Sequence, residues 1–132
     1  MTPGHRTTCS FCAISEAQIV LQNADGIVFR DRFPISPGHT LVVPRCHVAS
    51  LFELPTEAQL SLWQLVADAR RMLLDEFHPN GFNVGINDGN AAGQTVGHAH
   101  IHVIPRFDGD VNDPRGGVRW VIPSKAVYWS GS

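Results

Sequence analysis

The 132-residue sequence contains very little lysine and very little cysteine. Lys125 is its one lysine, the other nine cationic side chains are arginines, and the net charge is −2. Nucleic-acid polymers usually bind to basic surfaces, so this charge balance gives no reason to expect one as a partner. The three cysteines, Cys9, Cys12 and Cys46, are an odd number and too few for a disulfide framework.

The sequence also lacks a long apolar run and a leader segment. No apolar stretch approaches the ~18 residues that suggest a membrane-spanning helix, so no membrane association is expected. The N-terminal residues MTPGHRTTCSFC contain no apolar segment of the kind found in secretory signals, which makes the cytoplasm the expected compartment. The length and the 43% hydrophobic content fit one globular domain over residues 1–132.

The first half of the sequence predicts an antiparallel meander followed by a helix. Three short apolar segments are separated by turns at Asn23–Gly26 and Pro34–Gly38, and the third covers about Thr40–Val43. Thr56 and Gln59 then make a capping box at the start of the only long helical pattern. The apolar stripe expected to face the sheet consists of Leu62, Leu65, Val66, Ala69, Met72 and Leu73.

Two more strands follow, GFNVGIND at residues 81–88 and GHAHIHVIPR at residues 97–106. Pro105 is expected to end the second, because proline lacks the N–H that a strand ladder needs. The predicted fold is α+β, an antiparallel sheet of about five strands with one main helix. Residues 107–132 are expected to form a mobile polar loop and then a last strand or an ordered arm.

Three of the seven histidines, His98, His100 and His102, occur at a spacing of two. In a strand they would line one face, because successive side chains point to opposite faces. Imidazole binds metals and acts as a nucleophile or acid–base group near neutral pH. A three-histidine metal site is therefore one interpretation. Neighbours at i and i+2 lie ~6–7 Å apart, however, and three in a row converge less easily on one ion.

The loop before these histidines is rich in glycine. Glycines at 85, 89, 93 and 97 permit positive φ angles and close approach of a ligand to the backbone. Exposed N–H groups in such a loop can bind an anion, and Asn87, Gln94 and Thr95 add neutral donors. Neither G-x-x-x-x-G-K-[ST] nor G-x-G-x-x-G is present, so neither standard nucleotide loop applies.

Residues 87–106, NDGNAAGQTVGHAHIHVIPR, resemble the signature of the histidine triad (HIT) family, in which Gly-Gln-Ser/Thr-Val precedes His-φ-His-φ-His-φ-φ. Residues 29–51, FRDRFPISPGHTLVVPRCHVASL, resemble the upstream half of that family. The resemblance runs from about Cys9 to Arg106. In its Thr-Val and its Pro-Arg ending the sequence is closer to the dinucleoside-polyphosphate-cleaving, fragile type than to the aminoacyl- and phosphoramidate-cleaving branch.

The resemblance implies a nucleotide hydrolase or nucleotidyl transferase that attacks the α-phosphate of a nucleoside phosphate derivative, such as an adenosine compound. His100 would be the nucleophile of a covalent nucleotidyl-histidine intermediate, and His102 would contact the phosphate and assist proton transfer to the leaving group. His98 completes the triad, and His39 would support it through hydrogen bonds. The implied nucleotide contacts are Asp31 for the ribose; Asn87, Gly93, Gln94, Thr95 and Val96 for the phosphate; and Phe11, Ile14 and Phe29 for the base.

The segment Cys9-Ser10-Phe11-Cys12 is a C-x-x-C pattern, typical of a structural zinc site or a redox pair. The βαβ context of a redox pair is not visible here, and zinc needs two further ligands. The resemblance implies that His47 and His98 supply them, so that residues 1–12 form a zinc knuckle. Cys46, next to His47, is a competing ligand.

The resemblance also implies a homodimer in which two five-stranded sheets join through the helix and a central strand. Trp63, beside the apolar helix face, agrees with this, because tryptophan is enriched at interfaces. Two other functions remain open at this point. The chain could be a nucleotide-binding or sensing module without turnover, or a metal-dependent hydrolase that uses the triad as ligands.

Overall fold

The structure, a computed structural model, describes residues 9–130, which form an antiparallel sheet covered on one face by a long helix. The sheet order is β1-β2-β3-β5-β4, and every neighbouring pair is antiparallel. The predicted α+β fold is confirmed. In chain order the elements are β1 (Ile19–Gln22), β2 (Gly26–Arg30), β3 (Thr40–Pro44), α1 (Thr56–Phe77), β4 (Gly81–Ile86), β5 (Ile101–Arg106) and α2 (Pro123–Ala126).

The meander forms where the sequence predicts it. The side-chain oxygen of Asn23 accepts hydrogen bonds from the backbone N–H groups of Asp25 and Gly26, each at 3.0 Å, and this closes the turn between β1 and β2. The longer loop between β2 and β3 is closed by the backbone N–H of Asp31, which donates to the carbonyl of His39 at 2.9 Å. That bond brings the side chains of Asp31 and His39 to the same edge of the meander.

Helix α1 begins differently from the prediction. Thr56 is the first helical residue, Pro55 occupies the cap position, and no side chain caps the backbone there. Gln59 instead donates from Nε2 to the carbonyl of Leu54 at 2.9 Å. The predicted capping box is therefore wrong, because the preceding turn takes the Gln59 side chain. The helix ends as expected before Pro79, with His78 in the left-handed region at φ 54°.

The two faces of the sheet have different partners. One face packs against the apolar stripe of α1, in which five residues are buried and Met72 is half-buried. The opposite face carries Ile27, Phe29, Leu41 and Val43, which pack with residues of the N-terminal segment. This second face is the one that also carries the polar site.

Strand β5 starts later than predicted and continues past Pro105. His98 to His100 precede the strand, which begins at Ile101 and continues through Pro105 to Arg106. The prediction that Pro105 ends the strand is wrong. Pairing with β3 stops at Val103, so beyond it β5 pairs with β4 alone and the missing N–H affects fewer ladder bonds.

After β5 the chain forms turns, a 3-10 helix at Gly117–Val121 and the short helix α2. The expected last strand is absent from residues 107–130, and the alternative of an ordered arm is the one observed. None of the helices within residues 9–130 has both the length and the apolar character required to cross a bilayer.

Candidate functional site

Register places four residues in one row across the sheet. Phe29 on β2 pairs with Leu41 on β3, Leu41 pairs with His102 on β5, and His102 pairs with Gly85 on β4. Residues directly opposite each other share a face of the sheet, so this row forms the floor of a cleft of about 1140 Å³. The floor is apolar at one end, carries an imidazole at its centre and has no side chain at its other end.

The His100 ring is held in one tautomer. Its Nδ1 lies 2.9 Å from the carbonyl oxygen of His98, and a carbonyl only accepts hydrogen bonds, so Nδ1 carries the proton. The ring is 8% exposed, lines the cleft and meets the edge of Phe11 at 5.1 Å between centroids. In this tautomer the lone pair of the ring is on Nε2.

His39 and His102 form a directed hydrogen-bond chain. The backbone N–H of Ile35 donates to Nδ1 of His39 at 3.2 Å, so the His39 proton lies on Nε2. That Nε2 is 2.9 Å from Nδ1 of His102 and 3.3 Å from Oδ2 of Asp31. His102 accepts at Nδ1, and its own proton is therefore on Nε2.

Burial keeps both of these rings neutral. Burial, as the largest cause, acts together with the neighbouring His100 and His39 to lower the pKa of His102 to about 4, while Asp31 acts in the opposite direction. Burial also lowers the pKa of His39, against the charge of Asp31. At neutral pH His102 thus offers an N–H donor without a positive charge.

Lowering the pH from 7 to 5 should destabilise the wild type more than the His102→Asn variant. The His102 pKa is below its usual value in the folded state, so between about pH 6.5 and 4 the unfolded chain binds more protons. The contribution is complete above pH 6.5 and is lost as the pH falls, by about 1–2 kcal/mol at pH 5 after allowance for solvent screening. Urea unfolding of both proteins at the two pH values measures this difference, and equal losses would contradict it.

An apolar pocket adjoins the histidines on the β2–β3 side. Phe11 meets Phe29 edge to face at 5.5 Å between centroids, and Ile14 packs with the same cluster. All three line the cleft, and they are the residues for which the family resemblance implies a base pocket. Asp31 lines it as well, with Oδ1 accepting the backbone N–H of Phe33 at 2.8 Å.

The glycine-rich loop closes the cleft near β4. Gly89 and Gly93 have φ angles of 96° and 92°, which a side chain would disfavour. Asn87 and Gly93 line the cleft together with Thr95 and Val96. Within the part of the chain described here, the backbone N–H groups of Thr95 and Val96 donate to no acceptor, so they are available to an anion.

The Gln94 side chain forms hydrogen bonds within the protein. Its Oε1 accepts the N–H of Gly89 at 2.9 Å, and its Nε2 donates to the carbonyls of Ala49 at 2.8 Å and Val96 at 3.0 Å. The side chain is not part of the cleft lining. The amide thus holds the loop from behind.

Cys9, Cys12, His47 and His98 form a compact group whose ligand atoms all lie within 4.8 Å of one another. The sulfur of Cys12 is 3.3 Å from Nδ1 of His47 and 3.6 Å from Nδ1 of His98, and the sulfur of Cys9 is 3.5 Å from Nδ1 of His98. Sulfur and nitrogen ligands on a tetrahedral zinc lie about 3.5 Å apart, given the usual bond lengths. These four residues therefore fit a zinc ion.

His98 is oriented for that group. It is 1% exposed, and its Nε2 donates to the carbonyl of Pro44 at 2.8 Å, which leaves Nδ1 with its lone pair toward the cysteines. The three triad rings therefore do not converge on one ion. Asp31, His39 and His102 also bring ligand-type atoms within 4.8 Å, and the hydrogen bonds described above account for their approach.

Comparison with known proteins gives the family. The sequence profile of the HIT domain family matches residues 14–109. The chain belongs to the histidine triad family. It is 36% identical to protein hit of Bacillus subtilis over 103 residues, which cover 75% of this chain and 71% of that protein.

One solved HIT structure and one named enzyme are also similar. A zinc-bound histidine triad family protein of Mycobacterium smegmatis is 35% identical, with a TM-score of 0.72 and coverage of 80% of each chain. An AP-4-A phosphorylase of Mycobacterium tuberculosis is 40% identical over 81 residues, which cover 61% of this chain and 42% of that protein. Similarity to these bacterial proteins does not place the chain specifically in the fragile branch.

In this HIT chain, sequence reasoning located most of the cleft but missed parts of its walls. The structure brings His39, His100 and His102 to one cleft and assigns His98 to the cysteine group. Leu41 was missed because every residue of β3 is buried, so no alternation marks the face that lines the cleft. The arm residues that line the cleft, Val111, Pro114, Gly117, Val118, Trp120 and Val121, were also missed, and no periodic pattern marks them.

Proposed function

We propose that the chain is a nucleotidyl-histidine hydrolase or transferase that attacks the α-phosphate of a nucleoside phosphate derivative. The observation that carries this proposal is the His100 ring, which lines the cleft and is bound through Nδ1 to the His98 carbonyl, so that Nε2 is the ring nitrogen left for attack. Family membership and similarity to a relative named as an AP-4-A phosphorylase support it.

The covalent step uses this tautomer. The Nε2 lone pair of His100 forms a bond to the α-phosphorus, and the bond from phosphorus to the leaving group breaks with its electron pair on that group. The ring becomes cationic as the bond forms, and its Nδ1–H bond to the His98 carbonyl then becomes charge-assisted and stronger. Water, or another acceptor in a transferase, then forms a bond from its oxygen to phosphorus and loses a proton to solvent. The nitrogen–phosphorus bond breaks with its electron pair on Nε2, which restores the neutral ring.

His102 serves the leaving-group side through its Nε2–H. A polyphosphate departs as an anion and needs only a hydrogen bond, whereas an amine must also take up a proton. The low pKa of His102 suits the first kind of leaving group. Within the proposal we therefore favour dinucleoside polyphosphates over phosphoramidates, in line with the sequence resemblance to the fragile type.

Other residues of the cleft would bind the nucleotidyl half of the substrate, which stays on His100 after the leaving group departs. The free N–H groups of Thr95 and Val96 would hold phosphate oxygens, where negative charge develops in the transition state. Asp31 would accept from the ribose hydroxyls. Phe11 and Phe29 would enclose an adenine base.

The Cys9, Cys12, His47 and His98 group would hold one structural zinc ion, which would fix the N-terminal segment. Phe11 lies between the two cysteines in sequence and contacts His100, so that segment also forms part of the base pocket. Zinc is proposed here for structure, with no part in the phosphoryl chemistry.

A substrate panel followed by mass spectrometry tests the proposed reaction. Diadenosine polyphosphates and adenosine phosphoramidate are incubated with the wild type, and rapid quenching is used to trap the enzyme. The expected result is release of AMP and a transient increase in protein mass by one adenylyl group. Release without any adduct, or an adduct that persists in His100→Asn, would contradict the covalent mechanism.

We also propose a homodimer that joins through α1 and β4. Strand β4 is at the edge of one five-stranded sheet and would be a central strand once the two sheets are joined. Trp63 and Arg70 are seven residues apart on one stripe of α1, and the Arg70 guanidinium lies over Phe82 of β4 at 5.2 Å, so this stripe faces the sheet edge. Trp63 is 44% exposed there, and Phe52 and Leu60 nearby in sequence are also exposed. A cluster of this kind is typical of an interface.

Sedimentation should show a dimer at micromolar concentration. Trp63→Ala should weaken dimerisation by about thirtyfold, since buried interface tryptophans often contribute ~2 kcal/mol. Trp120→Ala is the matched control, because Trp120 has the same 44% exposure and lies on the arm. A monomeric wild type would refute the proposal.

A further inference from the structure

The C-terminal arm, residues 107–130, forms one wall of the catalytic cleft. The family match ends at residue 109, and the 3-10 helix at Gly117–Val121 lies beyond it. Val118, Trp120 and Val121 nevertheless line the same cleft as His100 and His102. Their exposed fractions are 65%, 44% and 75%, so they contribute much apolar surface to the cleft and little to the core.

The arm is fixed in place by specific contacts. Arg119 donates from Nε to the carbonyl of Ala126 at 2.8 Å and from Nη2 to that of Lys125 at 2.7 Å, and Ala126 is fully buried. The indole N–H of Trp120 donates to the carbonyl of Arg115 at 2.8 Å, which sets the plane of the ring. A wall that is already ordered does not lose further conformational entropy when a ligand binds.

The arm and the base pocket lie on opposite sides of the histidines. Phe29 and Leu41 occupy β2 and β3, on one side of β5, whereas the arm packs over β4 on the other side. On β4 the floor is formed by Gly85, where a Cβ would meet nothing within 4 Å, and by Asn83. The cleft is therefore open from His102 across β4 to the arm.

The chemistry of this second half of the cleft favours an uncharged, apolar occupant. Arg106 is the cation that lines it on β5, and both ends of its guanidinium are engaged: Nε and Nη2 bind Asp110 at 2.8 Å and Nη1 binds Asn83 at 2.6 Å. Its charge is therefore compensated. The cleft of about 1140 Å³ also exceeds the ~300–1,000 Å³ typical of a pocket for one drug-sized ligand.

We propose that Val118, Trp120 and Val121 form a leaving-group subsite that binds the second base of a dinucleoside polyphosphate by stacking and apolar contact. This rests on the proposed function and adds a second binding subsite to it. The arm determines which leaving groups are accepted, and His100 and His102 act on the bond between the two halves of the substrate.

Binding measurements test the subsite independently of turnover. Calorimetry compares AMP with a non-hydrolysable, methylene-bridged diadenosine polyphosphate. Trp120→Ala should lower affinity for the dinucleoside by roughly 5- to 100-fold, the range for loss of one base–aromatic stack, and leave AMP affinity within twofold. Val121→Ser should act in the same direction. Val127→Ser is the matched control, because Val127 is an exposed arm residue outside the cleft lining and should change neither affinity.

Kinetics separate failure of the subsite from failure of the proposed reaction. In Trp120→Ala, kcat/KM for a diadenosine polyphosphate should fall by the same factor, whereas turnover of adenosine phosphoramidate should stay within twofold. Equal losses on both substrates, or unchanged dinucleoside affinity, would overturn the subsite. A wild type that binds both nucleotides but turns neither over would refute only the reaction, and the binding ratio would still decide the subsite.

Discussion

Replacing His100 by alanine or asparagine is expected to lower nucleotide release by at least about 10³-fold while leaving nucleotide affinity within about tenfold, or ~1.4 kcal/mol. His100 alone would make the covalent bond, so no neighbouring group replaces it. The ligand would still contact Phe11, Phe29 and the N–H groups of the glycine-rich loop.

Single-turnover assays and calorimetry with AMP measure the two effects separately. His78→Asn is a matched control, because His78 is exposed at the end of α1 and asparagine tolerates its left-handed backbone. Its activity should equal that of the wild type. Ordinary turnover by a folded His100 variant would refute the assignment of the nucleophile.

Protein purified without a His tag is expected to contain about one zinc ion per chain, and Cys9→Ser or Cys12→Ser should remove most of it. Loss of the ion should lower the free energy of unfolding by roughly 3 kcal/mol or more, since metal binding to a folded site adds directly to stability. Nucleotide affinity should fall as well, because Phe11 lies between the two cysteine ligands and contacts both Phe29 and His100.

Cys46→Ser is the matched control for the metal site. Cys46 adjoins His47 in sequence but is not a member of the four-residue group. The variant should keep its zinc and its stability. Metal analysis and thermal unfolding decide the matter: zinc lost on Cys46→Ser, or unchanged stability in a zinc-free Cys9→Ser, would remove the proposed site.

Much of the fold could be predicted because turn residues delimit its short apolar strands, β5 alternates between buried and half-buried residues, and its helix has a clear apolar stripe. The cap of α1 could not, since Thr56 and Gln59 fit a capping box by spacing alone and the turn at Pro55 and Leu54 decided otherwise. Local patterns predict elements well where burial dominates. They predict element ends less well, because these depend on which backbone groups lie nearby.

In the candidate site, too, local patterns predict some features, while others depend on groups that are distant in sequence. The spacing of the triad and the C-x-x-C pattern indicated the candidate site residues, but the tautomers of the histidines depend on distant backbone groups. The His98 tautomer is set by the carbonyl of Pro44, 54 residues away in sequence, and the His39 tautomer by the N–H of Ile35. The arm was missed because its apolar residues lie on a 3-10 helix without strand or helix periodicity.

His98 joins two sites through different parts of one residue. Its ring lies in the cysteine group, and its carbonyl oxygen holds the Nδ1–H of His100. The position of that carbonyl therefore depends on what the His98 side chain binds, although this side chain does not line the cleft. An ion in the cysteine group would act as an alignment device for the nucleophile, so a mutation at either cysteine can misdirect the chemistry without touching substrate.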